Sequence, residues 1–226
     1  MATNLATVRD RVEALLTDSG NSDWTTAELD QALRLALDEL SQVCPARYNY
    51  VFDAVDDTYE YDLDSIFAAA ALDVAQIEEV TEVWYPYLST DDTYKLPHPV
   101  QWRMVTWMKL LLEPDSLGGD PDGDYDIRIF YNRRQQLDDL DSATATTLNA
   151  AEVGCLIMGA AGYAAIAKAR YLANRVVTGE NAYKALHEWG KSRVAEFKQR
   201  AYQLGQYDSA GEDARIGWWS ADKWDV

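Results

Sequence analysis

Residues 149–173, NAAEVGCLIMGAAGYAAIAKARYLA, constrain the fold of this chain more than any other stretch. Leu156, Ile157, Tyr163, Ile166 and Leu172 supply bulk, while Gly154, Gly159, Gly162 and a series of alanines leave room for neighbouring backbones to come close. A helix that is apolar nearly all round is buried on most sides. Thr147 or Asn149 can cap its start, Glu152 suits the positive end of the helix dipole, and Lys168 and Arg170 suit the negative end. Its apolar part approaches the roughly 20 residues of a bilayer span. However, Glu152 and Lys168 shorten the uninterrupted core, alanine and glycine are weakly lipophilic, and no second span exists. The expectation is a buried central helix and no membrane.

Helices are also expected before and after it. Residues 5–17 place Leu5, Val8, Val12, Leu15 and Leu16 on one face. In DWTTAELDQALRLALDEL, Thr25 and Glu28 have capping-box spacing, with Trp24 and Leu29 at the staple positions. Leu29, Leu33, Ala36, Leu37 and Leu40 form that helix's buried stripe, and Pro45 sets its limit. Residues 181–204 read as a second long helix, with Tyr183, Leu186, Gly190, Val194, Phe197, Ala201 and Leu204 along one side.

The period changes at Tyr48. Tyr48, Tyr50 and Phe52 alternate, then Tyr59, Tyr61 and Leu63, which reads as a hairpin. A short helical turn is expected within 64–72, strands over 77–85 and 105–112, a loop over 89–99, a turn at 118–124, and a strand with Tyr125, Ile127, Ile129 and Tyr131 alternating. The expected fold is mainly α (α+β): a bundle of about four helices over 1–204, with an antiparallel sheet inserted at about 48–132. Residues 205–226 show no period and read as an extended C-terminal arm. Gly205, Gly211 and Gly217 are taken to loosen that arm, and Trp218, Trp219 and Trp224 to anchor it on a partner.

Of 226 residues, 38 are acidic and 20 basic, a net charge of −18. That balance argues against a protein that grips nucleic acid by its phosphates. A hydrophobic content of 48% is enough for a real core. Cys44 and Cys155 fit no metal spacing and read as reduced core thiols. The charges in MATNLATVRDRVEALL interrupt any signal-peptide core, so synthesis in the cytoplasm is expected. No catalytic, cofactor or metal residues emerge. DPDGDYD, 120–126, lacks the glycine and glutamate positions of an EF-hand loop. The pairs Asp56-Asp57, Asp91-Asp92 and Asp138-Asp139 read as solvated rather than as a glycosidase couple. His98 and His187 stand in no triad or metal motif. Gly118-Gly119 is no phosphate loop, and Arg133-Arg134 read as ion-pair partners.

The helix with D-W-T-T-A-E-L-D-Q-A-L, the β segment with EEVTEVWYP, the strand DIRIFYNRRQQLDDLD and the AAEVGCLIMGAAGYAAIAKARY helix together resemble the head-to-tail adaptors (connector or head-completion proteins) of tailed viruses. The likeness runs from Trp24 to about Tyr171. It implies a homo-oligomeric ring of about a dozen copies in the virion neck. Such a ring docks under the portal protein, meets a tail-side neck or tail-completion protein, and lets genomic DNA pass without specific binding. It also implies that Trp218, Trp219 and Trp224 serve the portal-docking arm and that Gly154, Gly159 and Gly162 serve ring or bundle packing. Alternatives are another minor capsid or tail-completion protein, or a cytoplasmic hydrolase with an acidic cleft.

Overall fold

The computed structural model describes residues 3–18, 22–88, 90, 99–173 and 180–221, with the side chains of 180–182 and 207–221 outside the description. The fold is α+β, as expected, and divides into two compact units: 1–46 with 135–226, and 47–134.

The first unit is a bundle of four helices, α1 (Leu5–Leu16), α2 (Thr26–Val43), α4 (Ala150–Ala173) and α5 (Glu180–Ala221). The α1 start is capped by Asn4, whose side chain accepts the Thr7 N–H at 3.0 Å. Leu5, Val8, Val12 and Leu16 are buried, whereas Leu15, expected on the same face, is 49% exposed. Thr25 and Glu28 close the expected capping box on α2, an arrangement worth about 1 kcal/mol. Trp24 and Leu29 are both buried beside it. The Trp24 indole donates to the Ala164 carbonyl at 3.2 Å, pinning the start of α2 to α4. Asn149, not Thr147, caps α4: its side chain accepts the Ala151 and Glu152 N–H groups, while the Glu152 carboxylate accepts that of Asn149 at 2.7 Å. Thr147 instead donates to Gln135, whose amide donates to the Cys44 carbonyl. These bonds stitch the segment before α4 to the end of α2.

By length and composition α4 could cross a membrane, but 61% of that apolar window is buried, and α1, α2 and α5 pack against it. The stretch read as an extended arm is helical through Ala221. Part of the reason lies at Gly205. A Cβ there would collide with the Val43 carbonyl, so this glycine admits a close approach to the end of α2 instead of loosening the chain.

The second unit holds β1 (Ala46–Asp53), β2 (Glu60–Asp62), α3 (Leu63–Ala69), β3 (Ile77–Tyr87), β4 (Trp102–Thr106), β5 (Lys109–Leu112) and β6 (Asp126–Arg133). They form two three-stranded sheets, ordered β1-β6-β3 and β2-β5-β4. The expected hairpin of 48–63 is therefore absent, because β1 and β2 lie in different sheets. The intervening turn is held elsewhere: Asp57 N–H donates to the Pro121 carbonyl, and Gly123 N–H to the Asp56 carboxylate at 2.7 Å. The chain is thus diverted, and Tyr61 pairs with Leu110 instead. The strand expected over 105–112 is a hairpin, β4 with β5. Its turn carries no glycine or asparagine signal, because Met108 takes the left-handed conformation (φ 65°) while its side chain is 3% exposed. Pro86 lies inside β3, beside a register shift opposite β6 and in an edge strand, where a missing N–H is tolerated.

Leu63, Phe67, Val83, Leu110, Leu112, Ile127 and Ile129 are fully buried between these elements. Aromatic rings fill the space around them. Phe67 lies 5.2 Å from Tyr131 and 5.9 Å from Tyr50, and Phe52 lies 5.6 Å from Tyr61.

Candidate functional site

The sequence-derived docking residues fall partly outside the structure. Trp218 and Trp219 lie on the last turns of α5, with side chains beyond the description, and Trp224 lies outside the described residues. The three glycines of α4 divide sharply. A Cβ on Gly159 would meet the Phe197 ring at 2.8 Å and Ala36 Cβ at 3.1 Å, and one on Gly162 would meet the Gly190 carbonyl at 3.0 Å. Both are contacts within the bundle. A Cβ on Gly154 would meet nothing among the described residues within 4 Å.

Among the described residues no three His, Cys, Asp or Glu side chains gather to hold a metal ion. The 120–126 loop is used structurally instead: Asp122 N–H donates to the Tyr85 hydroxyl at 2.7 Å. Asp120 accepts the Tyr59 hydroxyl, and that bond pushes the Tyr59 pKa up to about 12. His98 and Asp91-Asp92 lie outside the described residues; His187 stands 3.7 Å from Glu188 on α5. Burial pushes the Cys155 thiol up to about 11, leaving it protonated and unreactive at neutral pH. The Asp126 carboxyl is raised above its ordinary value, first by burial and then by the Asp53 carboxylate beside it. That couple does not line the open depression of about 500 Å³ formed by Val100, Gln101, Trp102, Glu113 and Asp115. Arg134 makes the expected ion pair, with Glu78 at 3.1 Å. Arg133 instead donates to Gln76 and lies over Tyr48.

The chemically distinctive surface is the face of β3 and β6 that points away from the aromatic core. Along β6, Ile127, Ile129 and Tyr131 are buried while Asp126, Arg128, Phe130 and Asn132 alternate with them. The pairing places Trp84 opposite Arg128, Glu82 opposite Phe130, and Glu79 opposite Asn132. The register shift between Trp84 and Tyr87 swings Tyr87 towards the same cluster. The Arg128 guanidinium carbon consequently lies 5.2 Å from the centroid of Trp84, 5.2 Å from Tyr87 and 4.9 Å from Phe130. Trp84 and Phe130 themselves meet at 4.7 Å. Rings on several sides immobilise the cation, each contributing roughly 0.5–2 kcal/mol depending on desolvation.

Hydrogen bonding at this face is incomplete. Arg128 Nε and Asn132 Oδ1 are buried with no partner, at a cost of about 1–3 kcal/mol each. Three carboxylates, Glu79, Glu82 and Asp126, share the face, and Glu82 accepts the Trp84 indole N–H at 2.6 Å. Arginines elsewhere have carboxylates: Arg9 with Asp30, Arg34 with Asp141, and Arg103 with Glu113. Sequence reasoning missed this site because Arg128 appears there only as a polar residue between two isoleucines. The available signal was the cationic residue in a run of aromatics, EVWYPY facing DIRIFY.

A second exposed feature is the β4–β5 tip, where Trp107 is 68% and Val105 48% exposed. No family model matches the chain, and no curated protein matches it.

Proposed function

We propose that this protein is a structural component of the neck of a tailed virus, a ring-forming adaptor that docks under the portal, extends the DNA channel and offers the tail its attachment platform. The observation that carries this reading is the order of parts. A four-helix bundle is interrupted between α2 and α4 by a β unit, and its last helix continues past the bundle. Cys155 on α4 lies against Phe197 on α5, and Gly205 lies against the end of α2. The helix after Gly205 is another 16 residues, Gln206 to Ala221, or roughly 24 Å at 1.5 Å per residue. It carries Trp218 and Trp219, which with Trp224 are proposed to dock on the portal; the docking arm is thus helical for most of its length. The net charge of −18 suits a conduit through which DNA slides without adhering.

Negative-stain imaging and co-sedimentation of the full chain with its portal test the reading. Many copies per portal ring, in a coaxial ring, are expected. A monomer that ignores the portal at every salt concentration overturns it. Removing 211–226 is expected to abolish attachment while leaving the bundle's thermal midpoint nearly unchanged. Binding that persists in the truncated chain would move the docking surface elsewhere.

A further inference from the structure

We propose that the outer edge of β4 is where a second copy of this chain docks: the two β4 strands pair antiparallel about a two-fold axis at Met104, and Trp107 of each copy enters the depression of the other. The inference does not depend on the neck reading, because a two-fold contact makes a dimer, whereas a ring needs head-to-tail contacts.

The edge is open and its hydrogen-bonding groups point outward. In the sheet ordered β2-β5-β4, β4 stands at the margin. Val100 N–H donates to the Val83 carbonyl, but from Trp102 to Thr106 no described strand lies on the outer side of β4. Glu113 N–H donates to the Gln101 carbonyl, while Leu112 N–H turns away to the Tyr59 carbonyl. Bonding alternates along an antiparallel pair. Trp102 and Met104, opposite Leu112 and Leu110, therefore direct their N–H and C=O groups to the open side. Such edges are ordinarily guarded by charges or proline. The one charged residue of β4 is Arg103, and it is held by Glu113 at 2.9 Å. Beside it, Val105 and Trp107 are 48% and 68% exposed.

Spacing and charge identify the occupant. Antiparallel pairing centred on Met104 sets Met104 against its own counterpart and Trp107 against Gln101, because 101 and 107 are equidistant from 104. Gln101 stands between Val100 and Trp102 in the wall of the open depression of about 500 Å³, which has room for an indole ring. Asp115, also in that wall, supplies an acceptor for the indole N–H. The register shift between Met104 and Thr106 displaces Trp107 by one residue, which still leaves it against Val100 or Trp102. Trp107 cannot fill its own depression, since the five residues from Trp102 span roughly 17 Å of strand. The net charge of −18 makes most surfaces of two copies repel. Residues 99–112, however, contain no acidic residue, and Lys109 at the tip is matched by Glu60 at 3.1 Å. This edge is where two copies can meet without that repulsion.

Sedimentation velocity of the full chain over a range of protein concentrations, with Trp107→Ser and Trp107→Phe, is the first test. Two indoles and one strand edge bury less than the roughly 1,200 Å² of a stable interface, so a weak, reversible dimer is expected. Trp107→Ser should weaken it by about tenfold or more with an unchanged thermal midpoint, and Trp107→Phe by less. Disulfide trapping by air with a copper catalyst then reads the register. Met104→Cys should cross-link, because a hydrogen-bonded antiparallel pair stands about 5.5 Å apart at Cα. Thr106→Cys, about 13 Å from its counterpart, should not. Cys44 and Cys155 are buried and stay out of the reaction. A chain monomeric at every concentration, a Trp107→Ser dimer as tight as that of wild type, or cross-linking at 106 as fast as at 104 overturns the proposal. None of these outcomes touches the neck reading, which stands or falls on the portal.

Discussion

The bundle and the β unit exclude water from cores of comparable completeness by opposite means. At the α4–α5 crossing the side chains are removed: Gly162 and Gly190 let two backbones meet, and Ala160, Ala161, Ala164 and Ala165 are buried elsewhere around α4. In the β unit the space between short strands is filled by Tyr50, Phe52, Tyr61, Phe67 and Tyr131. The first core has backbone atoms where a side chain would go, so it cannot accept added volume. The second rests on a few large rings, so it cannot lose one. Each region therefore has its own characteristic way to fail, and substitutions that probe both test whether this contrast is real.

The largest effect is expected from Phe67→Ala. Phe67 is fully buried and touches Tyr50 and Tyr131, so its removal leaves a cavity costing about 3–5 kcal/mol. In urea titrations followed by tyrosine near-ultraviolet dichroism, the β-unit transition should move to lower denaturant while the helical signal persists. Loss of both signals together would mean that the two regions unfold as one, and the contrast would lose its thermodynamic content.

Next comes Gly190→Val. The new Cβ would lie 2.9 Å from the Gly162 carbonyl and 3.1 Å from the Ile166 nitrogen. Neither is a flexible side-chain end, so relief requires the helices to separate, at about 1–3 kcal/mol or more. The helical transition should fall and the tyrosine signal remain. An unchanged helical midpoint would show that the crossing has slack.

The sequence made one of these cores more legible than the other. Helices advertise themselves through caps and a 3.6-residue stripe, and Thr25, Glu28, Trp24 and Leu29 all took their expected places. The β residues were recognisable as strand-formers, but which strand pairs with which depends on distant contacts. Nothing in 48–63 states that the Asp56-Asp57 turn is held by Pro121 and Gly123, and so the hairpin expected there is not formed. Met108 concealed a turn by adopting a conformation usually left to glycine. Residues 205–221 lacked an apolar stripe, and backbone approach at Gly205 leaves no such signature. The Arg128 cluster was invisible for the same reason as the strand pairing: it is assembled across β3 and β6, not along either.

A smaller effect separates the regions by pH. Asp18, 4% exposed, accepts the N–H groups of Trp24, Ser22 and Asp23 and the Ser22 hydroxyl. These bonds, that of Trp24 foremost, hold its pKa below the ordinary 3.8. The unfolded chain binds the proton first on acidification, so this stabilisation is complete above about 3.8 and is lost as pH falls through the depressed folded value. Asp18→Asn should lower the helical midpoint at neutral pH, and the gap from wild type should close in acid. A gap constant with pH would assign the effect to packing rather than charge.

The smallest effect, and the one of opposite sign, is expected at Gly154. Unlike Gly159 and Gly162, it has open space among the described residues where a side chain would go, so no described contact requires its smallness. A glycine inside a helix costs roughly 0.5–1 kcal/mol relative to alanine through its greater freedom in the unfolded chain. Gly154→Ala should therefore raise the helical midpoint by about that amount, where the same change at Gly162 lowers it. The two outcomes together distinguish close approach within one chain from mere composition. They also bear on assembly: if a neighbouring copy lies against Gly154 in a ring, the alanine variant will be the more stable monomer and the poorer ring-former on the portal. Equal ring occupancy for variant and wild type would leave the small residues of α4 with a role in the bundle alone.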